Sequence, residues 1–398
     1  MALNDKSARN VSLAKSTAPK LAWRGTSLDF IYENAGLTAH FSGPEPIAVD
    51  EIRQKVEDFC QIPSENMPFA LKDLVVGGDQ VVIPVVGQLD QVIDPLQVIV
   101  SNLNGMGISE NDITILCESE LQLQLKEHFG QSLKIVLHDP GKEEEKAYLA
   151  STTDESRIYL NRQLLDHDIV LPLIVAEPVS SAAAMGYLSL IWPYFSDHQS
   201  ITTVGAKYKK TPNSMRHTIR EAIWLSGMHL VMAAIPARTG IESIRLYQPE
   251  SMQKELNRQI NLKWQYVIPE TVKNSLLTGG FSGESELSEA SIMQFCKTVA
   301  RVASRMRKIA VVIDFPDALI EKIKELSEKE RKSSGWYRFL AVAASRCSVY
   351  MLTNLPEEWA DELDMIILEN PAELDRLVKA NAGWVMINNA DRARIVFE

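Results

Sequence analysis

The stretch "KIVLHDPG" (134–141) places an imidazole, His138, and a carboxylate, Asp139, directly after a short apolar run. A strand ending on such a pair can offer an acid/base couple to a substrate, because imidazole is the side chain whose proton moves most readily near neutral pH. The same His-Asp-Pro-Gly string is also good turn sequence, Asp and Pro being suited to a turn's first positions. Both readings stand at this level. Other strand ends add to the first of them, since in open parallel sheets ligands bind beyond the carboxyl ends of the strands. The run "QVVIPVVG" (80–87) leads to Gln88 and Asp90, "DITILCES" (112–119) to Glu118 and Glu120, and "IVLPLIVAE" (169–177) to Glu177.

The elements that must position these groups alternate. "AVDEIRQKVEDFC" (48–60) has apolar residues at helical spacing. "DPLQVIVSNLNGMG" (94–107) opens on Asp-Pro and ends in glycines, which predicts a helix starting at 94. "ELQLQLKEHFG" (120–130) is a further helix, so the order is βαβαβ, and such long connections imply a parallel sheet covered by helices. "AYLASTTDESRIYLNR" (147–162) predicts a hairpin around Thr-Asp-Glu-Ser. A helix (213–227), a strand (228–237) and a helix (249–260) complete a first domain. A Gly/Ser-rich link, "LLTGGFSGESELS" (276–288), is expected to be mobile. Beyond it come a long helix from 290, the strand "KIAVVID", helical sequence broken near Ser333-Ser334-Gly335, the strand "CSVYMLTNL", the helix "NPAELDRLVKANAG" with Asn370 as its cap, and the strand "WVMINNA". The expected fold class is α/β: two domains with mainly parallel sheets flanked by helices and a cleft between them. Residues 1–45 form a polar arm and lead-in, 46–265 the first domain and 290–398 a smaller second one, with the boundary near 265–290.

Composition narrows the function. A chain of 398 residues with 45% hydrophobic and 23% charged residues is of ordinary soluble type. Its net charge of −11 argues against a nucleic-acid or anionic-membrane partner, while a small anionic molecule needs only a local basic pocket. Four scattered cysteines with no CxxC suggest neither a zinc site nor a disulfide framework, and a cytoplasmic location is expected. No GxGxxG follows the first strand, and there is no Walker A lysine, GxSxG elbow or histidine pair at metal-ligand spacing.

The run "DITILCES…KIVLHDPGKEEEKAYLASTTDESRIYLNRQLLDHDIVLPLIVAEP…AMGYLSLIWPYFSD" resembles the N-terminal domain of the lactate racemase family, the nickel-pincer-nucleotide enzymes and their uncharacterised relatives. "GWYRFLAVAASRCSVYMLTNLPEEWADELDMIILENPAELDRLVKANAG" is similar to the end of that family's second domain, so the likeness covers most of 70–398. The resemblance implies hydride transfer between a 2-hydroxy acid and the pincer cofactor, with two histidines as acid and base on the hydroxyl. The first histidine falls on His138. The cofactor-tethering lysine falls near Ser189 in "AMGYLSLIWP", where no lysine occurs between Lys146 and Lys207. The second histidine falls near Pro178-Val179 and is absent. The nickel-binding histidine is approximated by His198, several residues short of the family spacing. The D-x-T-R-P motif falls in "VGQLDQVIDP", which keeps Asp90 and Asp94 without an arginine, and the family's NGGYP element is not evident.

Two expectations follow. One is a racemase or epimerase acting on a 2-hydroxy acid or sugar acid, with His138 as acid/base and Asp90, Asp139, Glu177 and His198 at the substrate. The other is an inactive relative that binds a small ligand or a protein. Simpler roles accompany the sharper ones: His198 in the first turn of a helix, Arg216, His217 and Arg220 on a solvated helix face, Tyr187 and Trp192 as packing, and "KELSEKERKSS" as an exposed helix end.

Overall fold

The β-branched runs read from the sequence are the sheet strands of a computed structural model that describes all residues except 1–19, 24–25, 30–36, 64–66, 131 and 280–286. Most of the expected N-terminal arm, and the heart of the Gly/Ser-rich link, therefore lie outside the described residues. The chain divides into a larger unit, Gly43–Tyr266 with Arg392–Val396, and a smaller unit, Met1–Ser42 with Val267–Asp391 and Phe397–Glu398. The division differs from the expected linear one at both ends, since residues 37–41 go to the smaller unit and 392–396 to the larger.

In the larger unit seven strands form one sheet, ordered Ile241–Tyr247, Val231–Pro236, Leu173–Val175, Val81–Val86, Ile113–Cys117 and Lys134–Leu137, with Ile169–Val170 also pairing with Val81–Val86. All of the pairs are parallel except that of the first two strands. The continuous run Val81–Val85 is buried because helices cover both faces of a parallel sheet. Ile83, Val85, Ile115 and Met232 pack with Leu96 and Ile99 of the helix Leu89–Gly105 and with Ile52 and Val56 of the helix Val49–Gln61. Pro172, which has no N–H to give a ladder, divides the expected strand 169–177 into two.

The helix predicted from 94 starts earlier, at Leu89, and Pro95 sits inside it. Its start is set by Gln91, whose side chain accepts the backbone N–H of Gln88 at 3.1 Å. Gly87 makes this sharp strand-to-helix turn feasible: a Cβ there would lie 2.3 Å from Val175 Cγ2 and 2.9 Å from Val92 Cγ1. The expected hairpin forms from Lys146–Ser151 and Arg157–Asn161 as a separate two-stranded sheet.

The smaller unit holds a six-stranded, wholly parallel sheet ordered Ile366–Ile367, Ser348–Thr353, Lys308–Ile313, Asn274–Thr278, Trp384–Ile387 and Leu37–Phe41. Two of these strands correct the sequence reading. Asn274–Thr278 is an interior strand, fully buried, although the mobile link was expected to begin at 276, and Leu37–Phe41 is an edge strand taken from the expected lead-in. Leu276, Val312, Leu352, Trp384 and Met386 form a core on this sheet. Asn370 caps the helix Pro371–Ala380 as expected, its side chain accepting the N–H of Glu373 at 3.2 Å. No helix among the described residues is long and apolar enough to cross a membrane.

Candidate functional site at the strand ends

His138 follows the edge strand Lys134–Leu137, and its N–H donates to the Cys117 carbonyl at 2.7 Å, which continues the ladder one residue further. The side chain turns inward. It is 6% exposed, with its ring edge-on to Phe195 at 5.2 Å and near Tyr194 at 6.4 Å. Asn161, also buried, faces Nδ1 at 3.3 Å. The amide's orientation is fixed because its oxygen already accepts the Gln163 N–H at 3.0 Å, so its NH2 donates to Nδ1 and the imidazole proton resides on Nε2. Nε2 is buried and makes no well-formed hydrogen bond, although the Tyr194 backbone carbonyl lies close enough to act on the ring as an acceptor.

Burial pushes the His138 pKa down to about 4, and the nearby Lys146 ammonium adds to this; the Tyr194 backbone and Asp139 oppose it only in part. Three pH units below neutrality, holding this imidazole protonated at pH 7 costs about 4 kcal/mol. With Nδ1 occupied by Asn161 and Nε2 carrying the proton, the ring at neutral pH is a buried N–H donor rather than a ready proton acceptor.

Asp139 carries out the turn chemistry that competed with the site reading. Its Oδ1 accepts the Gly141 N–H at 2.9 Å, and its carbonyl accepts Lys146 Nζ at 2.7 Å. Lys146, which the sequence reading passed over, is 7% exposed and also donates to the Lys142 carbonyl at 3.2 Å, so its ammonium closes the loop that follows His138. Burial lowers its pKa, against the pull of Glu145 and Asp139.

Glu177 lies beyond the strand Leu173–Val175, where Arg392 meets its carboxylate at 3.1 Å and Gln91 donates to it at 3.4 Å. Arg392 also donates to the Ala237 carbonyl at 3.2 Å and to Gln88 Oε1 at 3.3 Å. Arg394 donates to the Pro178 carbonyl at 2.7 Å, to Asn261 Oδ1 at 2.7 Å and to the Tyr187 hydroxyl at 3.4 Å. That hydroxyl in turn donates to the Glu177 carbonyl at 3.0 Å. Burial raises the Tyr187 pKa, which keeps it a neutral donor. The sequence reading found no arginine near this edge because Arg392 and Arg394 arrive from the far end of the chain.

The remaining predicted residues do not join a single constellation. Asp90 is exposed and accepts the Gly240 N–H at 3.2 Å, tying the helix start to the 237–240 turn. His198 is exposed in the first turn of the helix His198–Lys210, which Asp197 caps, and its N–H donates to the Pro140 carbonyl at 3.2 Å. Glu118 accepts the Tyr194 hydroxyl at 2.9 Å. The strands ending in Glu177 and His138 are three places apart in the sheet, roughly 14 Å at ordinary strand spacing, so these two groups do not meet on one small substrate atom.

The pincer nucleotide implied by the resemblance does not fit these residues. Ser189, at the position of the tethering lysine, is buried with an Oγ that has no partner among the described residues, and a hydroxyl has no amine with which to form the amide tether. Among the described residues no group of three or more His, Cys, Asp and Glu could hold a metal ion. Arg216, expected on a solvated face, holds the Ala184 carbonyl through Nε and Nη2 at 3.0 and 2.7 Å. Tyr187 and Trp192 are buried packing residues.

No protein-family model matches the chain, and no curated protein matches it. Among solved structures it is similar to the lactate racemase apoprotein from Thermoanaerobacterium thermosaccharolyticum, with a TM-score of 0.69 and 12% identity over 94% of this chain and 99% of that one. It is also similar to a protein from Thermotoga maritima, with a TM-score of 0.56 and 12% identity over 90% and 100% of the two chains. The fold is therefore that of lactate racemase, mixed α/β with mainly parallel sheets, as the sequence resemblance implied.

Proposed function

We infer that this chain uses the lactate racemase fold to bind a small anionic molecule and does not carry out tethered-pincer racemisation. The observation that carries this reading is the Glu177 corner. In the region where the resemblance places a second acid/base histidine, Glu177 and Pro178 are held by Arg392, Arg394, Gln91 and Tyr187. The Glu177 carboxylate is engaged by Arg392, and one neutral, inward-turned imidazole cannot serve both faces of a 2-hydroxy acid. The catalytic alternative, a 2-hydroxy acid racemase or epimerase using His138, draws on one specific feature: the buried Nε2–H that makes no well-formed hydrogen bond.

The test incubates single enantiomers of lactate and glycerate with the purified protein, with and without added nickel-pincer nucleotide. Chiral chromatography follows the acids, and metal analysis follows the protein after dialysis. Binding of a hydroxy acid without inversion or retained nickel is the expected result. Inversion that His138→Gln abolishes would establish the catalytic alternative instead.

A further inference from the structure

The helices His198–Lys210 and Pro212–Leu225, joined by Thr211 alone, concentrate positive charge in an acidic chain. Between His198 and Arg220 stand five lysines and arginines and no aspartate or glutamate, while the whole chain carries a net charge of −11. Met215, Ile219, Ala222 and Ile223 are buried on one side of the second helix. Asn213, His217, Arg220 and Trp224 follow one another at helical spacing, so they form a single stripe along its other side, and all of them are exposed. Trp224 is 71% exposed, more than any other large hydrophobic side chain among the described residues.

The charge on this face is not neutralised from within. The side chains of Lys209, Lys210, His217 and Arg220 are exposed and make no hydrogen bond, ion pair or ring contact among the described residues. Lys55, Arg238, Arg258 and Lys263 of the same unit, by contrast, each meet a carboxylate. The neighbouring acids are committed elsewhere: Glu221 accepts the Thr153 N–H and hydroxyl at 2.9 and 3.0 Å, and Asp154 accepts the Ser156 and Thr218 hydroxyls at 3.1 and 3.3 Å. The start of the second helix is also open to an acid. Its first turn holds no acidic residue, and the Thr211 hydroxyl donates back to the Lys207 carbonyl at 3.2 Å instead of capping it. Negative charge is favoured at such an end.

We propose that the exposed face of Pro212–Leu225, with the two lysines that precede it, is the docking surface for a short acidic segment of a partner protein. Carboxylates of that segment meet Lys209, Lys210 and Arg220, and an apolar or aromatic side chain packs on Trp224. Tryptophan and arginine are the side chains that most often dominate binding energy at protein interfaces, and here they sit one helical turn apart. The length fits as well: a helix of this size is roughly 20 Å long, which about six extended residues span. A nucleic acid or an anionic membrane continues past such a stripe and meets a chain that is otherwise acidic, whereas a short segment ends where the helix does. The surface shares no residue with the Glu177 corner, so its test does not depend on the small-anion reading.

The experiment is fluorescence anisotropy of the full chain with a labelled synthetic peptide in which glutamates alternate with phenylalanine and leucine. An all-glutamate peptide, a single-stranded DNA oligonucleotide and vesicles of phosphatidylglycerol and phosphatidylcholine serve as comparisons. Trp224→Ala, the combined Lys209→Gln, Lys210→Gln and Arg220→Gln variant, and Lys297→Gln, an exposed cation on the helix Glu289–Ala303, are titrated alongside, with thermal unfolding to confirm that each is folded. The proposal expects the mixed peptide to bind saturably and more weakly as salt is added. The combined variant should weaken it at least tenfold, Trp224→Ala at least fivefold and Lys297→Gln less than twofold, and the all-glutamate peptide should bind at least fivefold more weakly. Peptide binding that is indifferent to both the combined variant and Trp224→Ala overturns the surface. Sensitivity to the combined variant but not to Trp224→Ala overturns the apolar half of the assignment. Oligonucleotide or vesicle binding that exceeds the peptide's and is lost in the same variants overturns the partner class. No saturable binding of the mixed peptide at millimolar concentration overturns the proposal.

Discussion

The His138 imidazole should titrate near pH 4 in the folded protein and leave a measurable mark on acid stability. The sign follows from its depressed folded-state pKa. An unfolded chain takes up the proton near 6.5 and the folded one only near 4, so stability is fully present above about 6.5 and declines as pH falls toward 4. Between those two values, linkage gives a loss of about 2 kcal/mol by pH 5, where most carboxylates are still ionised and contribute little. His138→Gln keeps an oxygen able to accept from Asn161 and removes the titration. Urea unfolding of both proteins near pH 7.5 and pH 5 should show the wild type losing about 2 kcal/mol more than the variant over that interval. Direct NMR titration of the ring should place its midpoint well below 6.5. A midpoint at or above 6.5, or equal acid losses in the two proteins, would show that the ring is hydrated and chargeable, and the argument against an acid/base role would fail with it.

Other expectations are simpler. Gly87→Ala should destabilise the protein by about 1–3 kcal/mol by denaturant unfolding, because the added methyl overlaps Val175 and Val92; an unchanged midpoint would refute the close approach. Lys146→Met should cost roughly 1–3 kcal/mol by leaving the Asp139 and Lys142 carbonyls without their donor, and should raise the His138 midpoint by removing a nearby cation, both readable in one NMR sample. Glu177→Gln and Arg392→Met should each destabilise by about 1–2 kcal/mol, and the double variant by clearly less than their sum; strict additivity would mean that the pair is not coupled.

Most of the parallel architecture was legible because its signals are local. The apolar runs at 81–86, 113–117 and 308–313 can be buried only as interior strands, and Asn370-Pro371 starts a helix wherever the chain goes next. The readings that failed were those decided at long range. Asn274–Thr278 is short and runs into glycines, so it reads as a linker until two parallel neighbours give it hydrogen bonds. The helix starting at Leu89 was displaced to Asp94 by a sound local rule, because Pro usually sits in a first turn; here Gln91 supplies the cap and Pro95 is carried inside.

The candidate site divides along the same line. His138 and Asp139 were found because a strand end is local, yet Asn161, which fixes the imidazole's tautomer, lies 23 residues away, and Arg394 reaches Pro178 across 216. Neither Arg392 nor Arg394 carries a motif that would mark it as a partner of the strand edge. Their arrival changes what the missing residues mean. Had only the tethering lysine and second histidine been absent, the edge would retain an uncompensated carboxylate at Glu177, which could still serve as a base. With Arg392 on that carboxylate and Asn161 on the imidazole, both groups already have protein partners: Glu177 is ion-paired, and the neutral His138 ring has its acceptor nitrogen occupied. Absent racemase residues alone would be compatible with a weakened enzyme; their absence together with the tying down of Glu177 and His138 is what supports the proposed binding role over the catalytic one.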